Sequence, residues 1–152
     1  MKHLFAALAG LILLSAPALA QASPLSGQYD AQIPTAQMVL GHEFGAEITP
    51  PDQAIAYLRA LQAAAPDRVR VVDYATSWEG RPLAYAIIAN AESMARLDDI
   101  QAGLQQLADP RGLTAEARDR LVASTPAVVW LSYGVHGDEI SSTDAGLRTA
   151  YH

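Results

Sequence analysis

The most informative part of the chain is VVWLSYGVHGDE, residues 128–139. Its first half is apolar and uncharged, and with the preceding alanine it predicts a buried β-strand from Ala127 to Leu131. Its second half carries two glycines, a histidine and two acidic residues. The residues from Ile140 to His152 have apolar side chains at helical spacing. The sequence therefore predicts a buried strand that turns directly into a helix.

His136 and Glu139 are the candidate metal ligands, because a His and a Glu three residues apart across such a turn can converge on one cation. Loops at the carboxyl ends of strands in α/β folds collect ligands, and Gly134 and Gly137 permit a sharp turn. The pair would supply two of the three protein ligands of a His₂Glu zinc site. The alternative is a chance pattern in which Glu139 only stabilises the helix N-terminus. The metal-site interpretation requires that the two side chains converge and that the segment before them lies in a sheet.

The rest of the chain predicts further helices and a β-hairpin. Apolar periodicity and the flanking Pro, Gly and Asn residues define these elements. They are a helix Pro51–Ala64, strands Arg68–Thr76 and Leu83–Ala89, a helix that contains Met94 to Leu107, and a helix Thr114–Ala123. The order of elements predicts an α/β fold with a mixed β-sheet flanked by helices.

Composition excludes several classes of site and partner. The chain has 152 residues, no cysteine and a formal net charge of -6. Without cysteine there is neither a disulfide framework nor a thiolate metal site, so a metal must be bound by His, Asp or Glu. The net charge is negative, whereas nucleic-acid-binding domains are typically basic, and we therefore expect no nucleic-acid partner.

Residues 1–20 have the pattern of a secretory signal peptide. Lys2 precedes an apolar run from Leu4 to Leu14, and Ala18-Leu19-Ala20 resembles a cleavage site. A membrane anchor is the alternative, but the run is about half the ~20 residues that a spanning helix needs. We expect a periplasmic or secreted protein with no membrane association after cleavage. Residues 21–50 are expected to form an irregular leader.

Two motifs of the sequence resemble motifs of the zinc carboxypeptidase family, the carboxypeptidase A-like metallopeptidases, and they occur in the same order. Val128–Glu139 looks like the first metal-ligand segment of that family, and Ile140–Ala145 continues as its bacterial members do. Thr76–Leu83 resembles the family's Ser-x-Glu-Gly-Arg turn between two strands. The resemblance covers the chain from about Gly41 onward.

The resemblance implies that residues 51–152 are the N-terminal part of a catalytic domain with a truncated zinc carboxypeptidase-like fold. His136 and Glu139 match two ligands of one Zn²⁺. The third protein ligand, the general-base Glu and the substrate-binding residues are expected downstream of this chain, so catalytic and substrate-binding residues stay unknown. Asp138 stands where the family often has an arginine. The implied substrate is a peptide C-terminus or a peptidoglycan-type peptide.

Three interpretations remain. The first is a zinc metallocarboxypeptidase, present as an incomplete domain that we expect to be inactive alone. The second is a zinc acylase or desuccinylase-like amidohydrolase, which the His-Gly-Asp-Glu form also resembles. The third is a non-catalytic fragment or binding module, which the missing third ligand favours.

Other side chains carry weaker expectations. Trp78 and Trp130 are expected in the core. Arg81 is expected to anchor the hairpin turn rather than to bind an anion. His152 would lie about 20 Å from Glu139 along a continuous helix and cannot share its ion. His42 has no partner at ligand spacing.

Overall fold

The computed structural model describes residues 27–152, which contain six α-helices and two β-strands. The predicted signal peptide lies outside these residues and stays a prediction. The helices are α1 Ala36–Leu40, α2 Pro51–Ala64, α3 Ala91–Ala95, α4 Leu97–Ala108, α5 Ala115–Ser124 and α6 Ser141–Tyr151. The strands are β1 Val69–Thr76 and β2 Pro82–Ile88, and Pro110–Gly112 forms a 3₁₀ turn.

Helix α2 is the centre of the fold, and its bounds match the sequence prediction. It begins with Pro51, which is tolerated where a helix has no backbone acceptor for its N–H. It ends before Pro66, which cannot continue a helix. Its buried face carries Tyr57 and Leu61, which pack with Val69 of β1 and Leu147 of α6.

The predicted hairpin is confirmed. β1 and β2 are antiparallel, with Val69 opposite Ile88 at one end and Thr76 opposite Pro82 at the other. A register irregularity lies between Asp73 and Ala75. The side chain of Gln62 on α2 accepts a hydrogen bond from the backbone N–H of Val71, which attaches the hairpin to the helix.

Residues 33–44 pack against the core from the other side. Ile33, Val39, Leu40 and Phe44 contact the buried cluster. Thr35 caps α1, since its hydroxyl accepts a hydrogen bond from the backbone N–H of Met38. This short helix was not predicted, because five residues are too few to show a helical period. The boundary placed at residue 50 stays a prediction.

The helical stretch predicted around residues 94–107 is divided in two. Asn90 caps α3, and Arg96 adopts a non-helical φ of -111° and ψ of 18° before α4 begins. Helix α5, capped by Thr114, agrees with the prediction to within a residue. Gly103 lets α4 approach Thr125 at the end of α5, because a Cβ there would lie 2.9 Å from the Thr125 hydroxyl.

The predicted buried strand Ala127–Leu131 is wrong. The segment forms no strand and makes no backbone hydrogen bond to another described residue. All residues from 126 to 141 are exposed. An apolar run becomes a buried strand only where neighbouring backbone pairs with it, and residues 27–152 provide no such neighbour. The α/β class is confirmed, but the sheet within these residues is a two-stranded antiparallel pair, not a mixed sheet.

The two tryptophans are exposed, so their expected place in the core is wrong as well. Trp78 at the hairpin turn is fully exposed, and Trp130 is 72% exposed. The Trp130 ring has one aromatic neighbour, Tyr85 of β2, at a centroid distance of 6.0 Å.

Tryptophan fluorescence tests this placement of residues 127–131. In the Trp78→Phe variant, Trp130 is the only tryptophan, and its emission should resemble that of indole in water and be quenched readily by acrylamide. The Trp130→Phe variant, which reports on Trp78 alone, is the matched control. A blue-shifted, quencher-resistant Trp130 would show that the segment is buried.

Alkaline pH should destabilise the fold through Tyr57. Burial raises the pKa of its hydroxyl above the usual 10.0, and the nearby Tyr151 and Glu43 add to the effect. The hydroxyl donates a 3.0 Å hydrogen bond to the Pro34 carbonyl. The unfolded chain loses this proton near pH 10 while the folded chain keeps it. The contribution of Tyr57 to the free energy of unfolding is thus fully present below about pH 10. Above that pH it falls by about 1.4 kcal/mol per pH unit.

Urea unfolding between pH 8 and 11 measures this slope. The Tyr57→Phe variant should be less stable at pH 8, because the Pro34 carbonyl loses its donor, but its stability should fall less steeply above pH 10. The exposed Tyr74→Phe serves as control and should keep the native slope. Equal slopes in all three proteins would contradict the assignment to Tyr57.

Candidate functional site

The structure brings the two predicted metal ligands together. His136 Nδ1 lies 3.2 Å from Glu139 Oε1, and the two side chains are 69% and 57% exposed. The first condition of the metal-site interpretation, convergence of the pair, is therefore met. The second, a sheet strand before the pair, is not met, since residues 127–131 lie outside the hairpin.

The turn itself produces this convergence. Gly134 has a φ of 68°, a left-handed conformation that favours glycine. The backbone N–H of Glu139 then donates to the His136 carbonyl, and that of Ser142 donates to the Glu139 carbonyl, each at 3.2 Å. These successive turns lead directly into α6. Gly137 was also expected to permit a sharp turn, but its φ is not positive, so it does not adopt the left-handed conformation that favours glycine.

Tyr133 attaches the start of the turn to the side of α6. Its ring lies so close to Gly146 that a Cβ on Gly146 would be 3.0 Å from the ring. Its hydroxyl donates a 3.1 Å hydrogen bond to Thr149 Oγ1. The turn that carries His136 and Glu139 is thus fixed to α6 at both ends, by Tyr133 before it and by the helix start after it.

The separation of the pair is that of a His–Glu ion pair, and it is also compatible with two positions of a zinc site. In tetrahedral coordination with bonds of 2.0–2.1 Å, neighbouring donor atoms lie about 3.3 Å apart. The observed 3.2 Å between nitrogen and oxygen therefore allows both atoms to bind one ion with little movement. Within residues 27–152, no three His, Asp or Glu side chains are grouped closely enough to hold a metal.

The other histidines of this part of the chain lie away from the pair. His152 ends α6, and its Nδ1 is 2.7 Å from the Tyr29 hydroxyl. An eleven-residue helix separates it from the turn, which agrees with its exclusion as a ligand. His42 is buried, and its Nδ1 is 3.1 Å from the Glu43 carbonyl.

The Ser-x-Glu-Gly-Arg motif builds the hairpin turn. The Ser77 hydroxyl accepts a hydrogen bond from the Arg81 N–H at 3.0 Å. Gly80 has a φ of 80°, and the Arg81 side chain pairs with Glu79 at 2.9 Å. Arg81 therefore anchors the turn through a carboxylate, as expected.

Sequence reasoning missed the roles of Asp144 and of the Tyr133–Gly146 contact. Asp144 is 6% exposed and lies on the same face of α6 as the core residue Leu147. A carboxylate on the apolar face of an amphipathic helix could have been recognised in the sequence as a residue with a buried hydrogen-bonding role. The contact of Gly146 with Tyr133 had no such signal, because it depends on how the turn folds back.

Comparison with known families gives one match. A family model described as zinc carboxypeptidase matches residues 54–152, which is more than half of the chain. No curated protein and no solved structure matches the chain significantly. None of the helices between residues 27 and 152 combines the length and apolar character needed to cross a bilayer.

The close approach of Tyr133 to α6 can be tested at Gly146. Glycine to alanine inside a helix normally stabilises by about 0.5–1 kcal/mol. In Gly146→Ala this gain should be lost or reversed, because the new methyl group displaces the Tyr133 ring. In a Tyr133→Ala background the same substitution should recover the ordinary gain. Urea unfolding of the four proteins gives the coupling, which should exceed about 0.5 kcal/mol. Additive effects would show that ring and helix are not in contact.

Proposed function

The chain belongs to the zinc carboxypeptidase family, and from that premise we propose that it acts in zinc-dependent hydrolysis of peptides at their C-terminus. The observation that carries the proposal is the match of residues 54–152 to this family. The His136–Glu139 pair supports it with a 3.2 Å separation that suits two ligands of one ion, although the expected strand before the pair is not formed. The matched region, residues 54–152, contains both residues of the pair.

His136 and Glu139 would hold the zinc from the exposed turn before α6. Bound zinc would polarise the scissile carbonyl and lower the pKa of a water molecule in the site. The exposure of both side chains leaves room for a substrate and for further ligands. Among residues 27–152 we assign no general base and no substrate-binding group.

We infer that the fold is the α/β fold of this family, with the hairpin and α2 as parts of it. The α/β composition of residues 27–152 supports this inference.

The substrate class and the location are also proposals. A peptide C-terminus or a peptidoglycan-type peptide is the substrate that the family relationship favours. The signal-peptide pattern of residues 1–20 favours a periplasmic or secreted protein.

Zinc binding tests the site. His136→Ala and Glu139→Gln should each lower the zinc affinity of the whole chain more than about tenfold, since loss of an outer-sphere partner alone costs 10- to 100-fold. Isothermal titration with Zn²⁺ measures the affinity. His152→Ala, which removes another exposed histidine, is the matched control and should leave it unchanged.

Hydrolysis is measured separately from binding. Because no general base is assigned among residues 27–152, we expect little release of the C-terminal amino acid from an N-blocked dipeptide. Release that depends on zinc and is lost in His136→Ala would overturn this expectation and support catalysis by this chain. Zinc binding that survives both ligand substitutions would contradict the proposed site. Zinc bound through the pair without hydrolysis would retain the metal site and reject catalysis by this chain alone.

A further inference from the structure

Asp144 is a buried carboxylate that joins α6 to the loop before α2. It is 6% exposed and belongs to the first turn of α6. Its Oδ2 accepts a 2.7 Å hydrogen bond from the backbone N–H of Gly45. Its Oδ1 accepts a hydrogen bond from the hydroxyl of Thr49, which is itself buried.

Burying the Asp144 carboxylate costs free energy, so nearby groups must replace the hydrogen bonds that it loses to water. A carboxylate removed from water loses far more solvation than a neutral group. No cation of residues 27–152 lies within ion-pair distance of Asp144. Two neutral donors and the positive end of the α6 dipole hold the charge instead. A carboxylate held in this way resists displacement, because any movement leaves it buried without a partner.

The position of Asp144 connects it to the metal pair. Ser142, in the same helical turn, donates its backbone N–H to the carbonyl of Glu139. Ile140, between the turn and α6, already has helical φ and ψ of -61° and -25°. Glu139 therefore lies directly before the helix, joined to its first turn by this hydrogen bond. α6 has no side-chain N-cap, and the two hydrogen bonds of Asp144 attach its first turn to Gly45 and Thr49.

We infer that Asp144 is a positioning residue for the metal site, acting with Gly45 and Thr49. Leu147 fixes the middle of α6 in the core, and Asp144 fixes the end that carries Glu139. Two points of attachment define the direction of the helix, and so the place of the Glu139 carboxylate beside His136. The inference rests on the proposed zinc site.

Substitutions at Thr49 and Asp144 test the inference. Thr49→Val keeps the shape of the side chain and removes the hydroxyl donor, while Thr49→Ser retains it. Zinc affinity should fall about tenfold in Thr49→Val and in Asp144→Asn, and Thr49→Ser should stay within about twofold of the native chain. Titration of the whole chain with Zn²⁺, followed by the ring NMR signals of His136, gives the affinities.

A second readout needs no metal. Hydrogen exchange of the backbone amides of residues 139 and 142 should become faster in Thr49→Val and stay near native in Thr49→Ser. Ile100→Ala, which removes a buried side chain of α4, controls for stability: it should lower the free energy of unfolding at least as much, but leave the zinc affinity of the folded protein nearly unchanged.

The outcomes separate this inference from the proposed function. If His136→Ala abolishes zinc binding but Thr49→Val and Asp144→Asn bind zinc like the native chain, Asp144 is not a positioning residue and the metal site stands. A loss of zinc affinity in Ile100→Ala equal to that in Thr49→Val would also overturn the inference. Zinc binding unaffected by His136→Ala would remove the proposed site and the role of Asp144 with it.

Discussion

Packing of Leu147 on α6 against Tyr57 and Leu61 on α2 is the contact on which the rest of the structure depends. It joins two helices far apart in sequence, and Val69 extends the same cluster into the hairpin. Deleting such a buried side chain costs several kcal/mol, a large part of the stability of a small domain. The turn with His136 and Glu139 has no burial of its own, so it takes its position from α6.

The parts of the fold that are set by neighbours in sequence were predictable. The bounds of α2 followed from its prolines and apolar spacing, and the hairpin from two β-rich runs around Gly80. The strand predicted at Ala127–Leu131 failed because an apolar pattern reports what a segment can bury, not whether a partner strand is present. Asp144 was missed for a related reason, since its partners lie about a hundred residues away.

The convergence of His136 and Glu139 was predictable because its geometry is local. Three residues of spacing, a left-handed glycine and two backbone hydrogen bonds suffice to bring His136 and Glu139 to 3.2 Å. The placement of this turn on the protein is not local: it needs the Tyr133 ring against Gly146. A short motif can therefore encode how two ligands face each other, while distant packing determines where they are presented.

Residues 33–49 pack against α2 and α6, so the unit that folds and unfolds cooperatively begins before α2. The family match starts at residue 54, yet Pro34 accepts the hydrogen bond of Tyr57, and Gly45 and Thr49 hold Asp144. Cleavage by a protease near residue 50 would separate these groups from their partners and expose the core. The family match thus covers a shorter region than the one whose contacts stabilise it, and fragments that begin at residue 54 would lose part of their own interior.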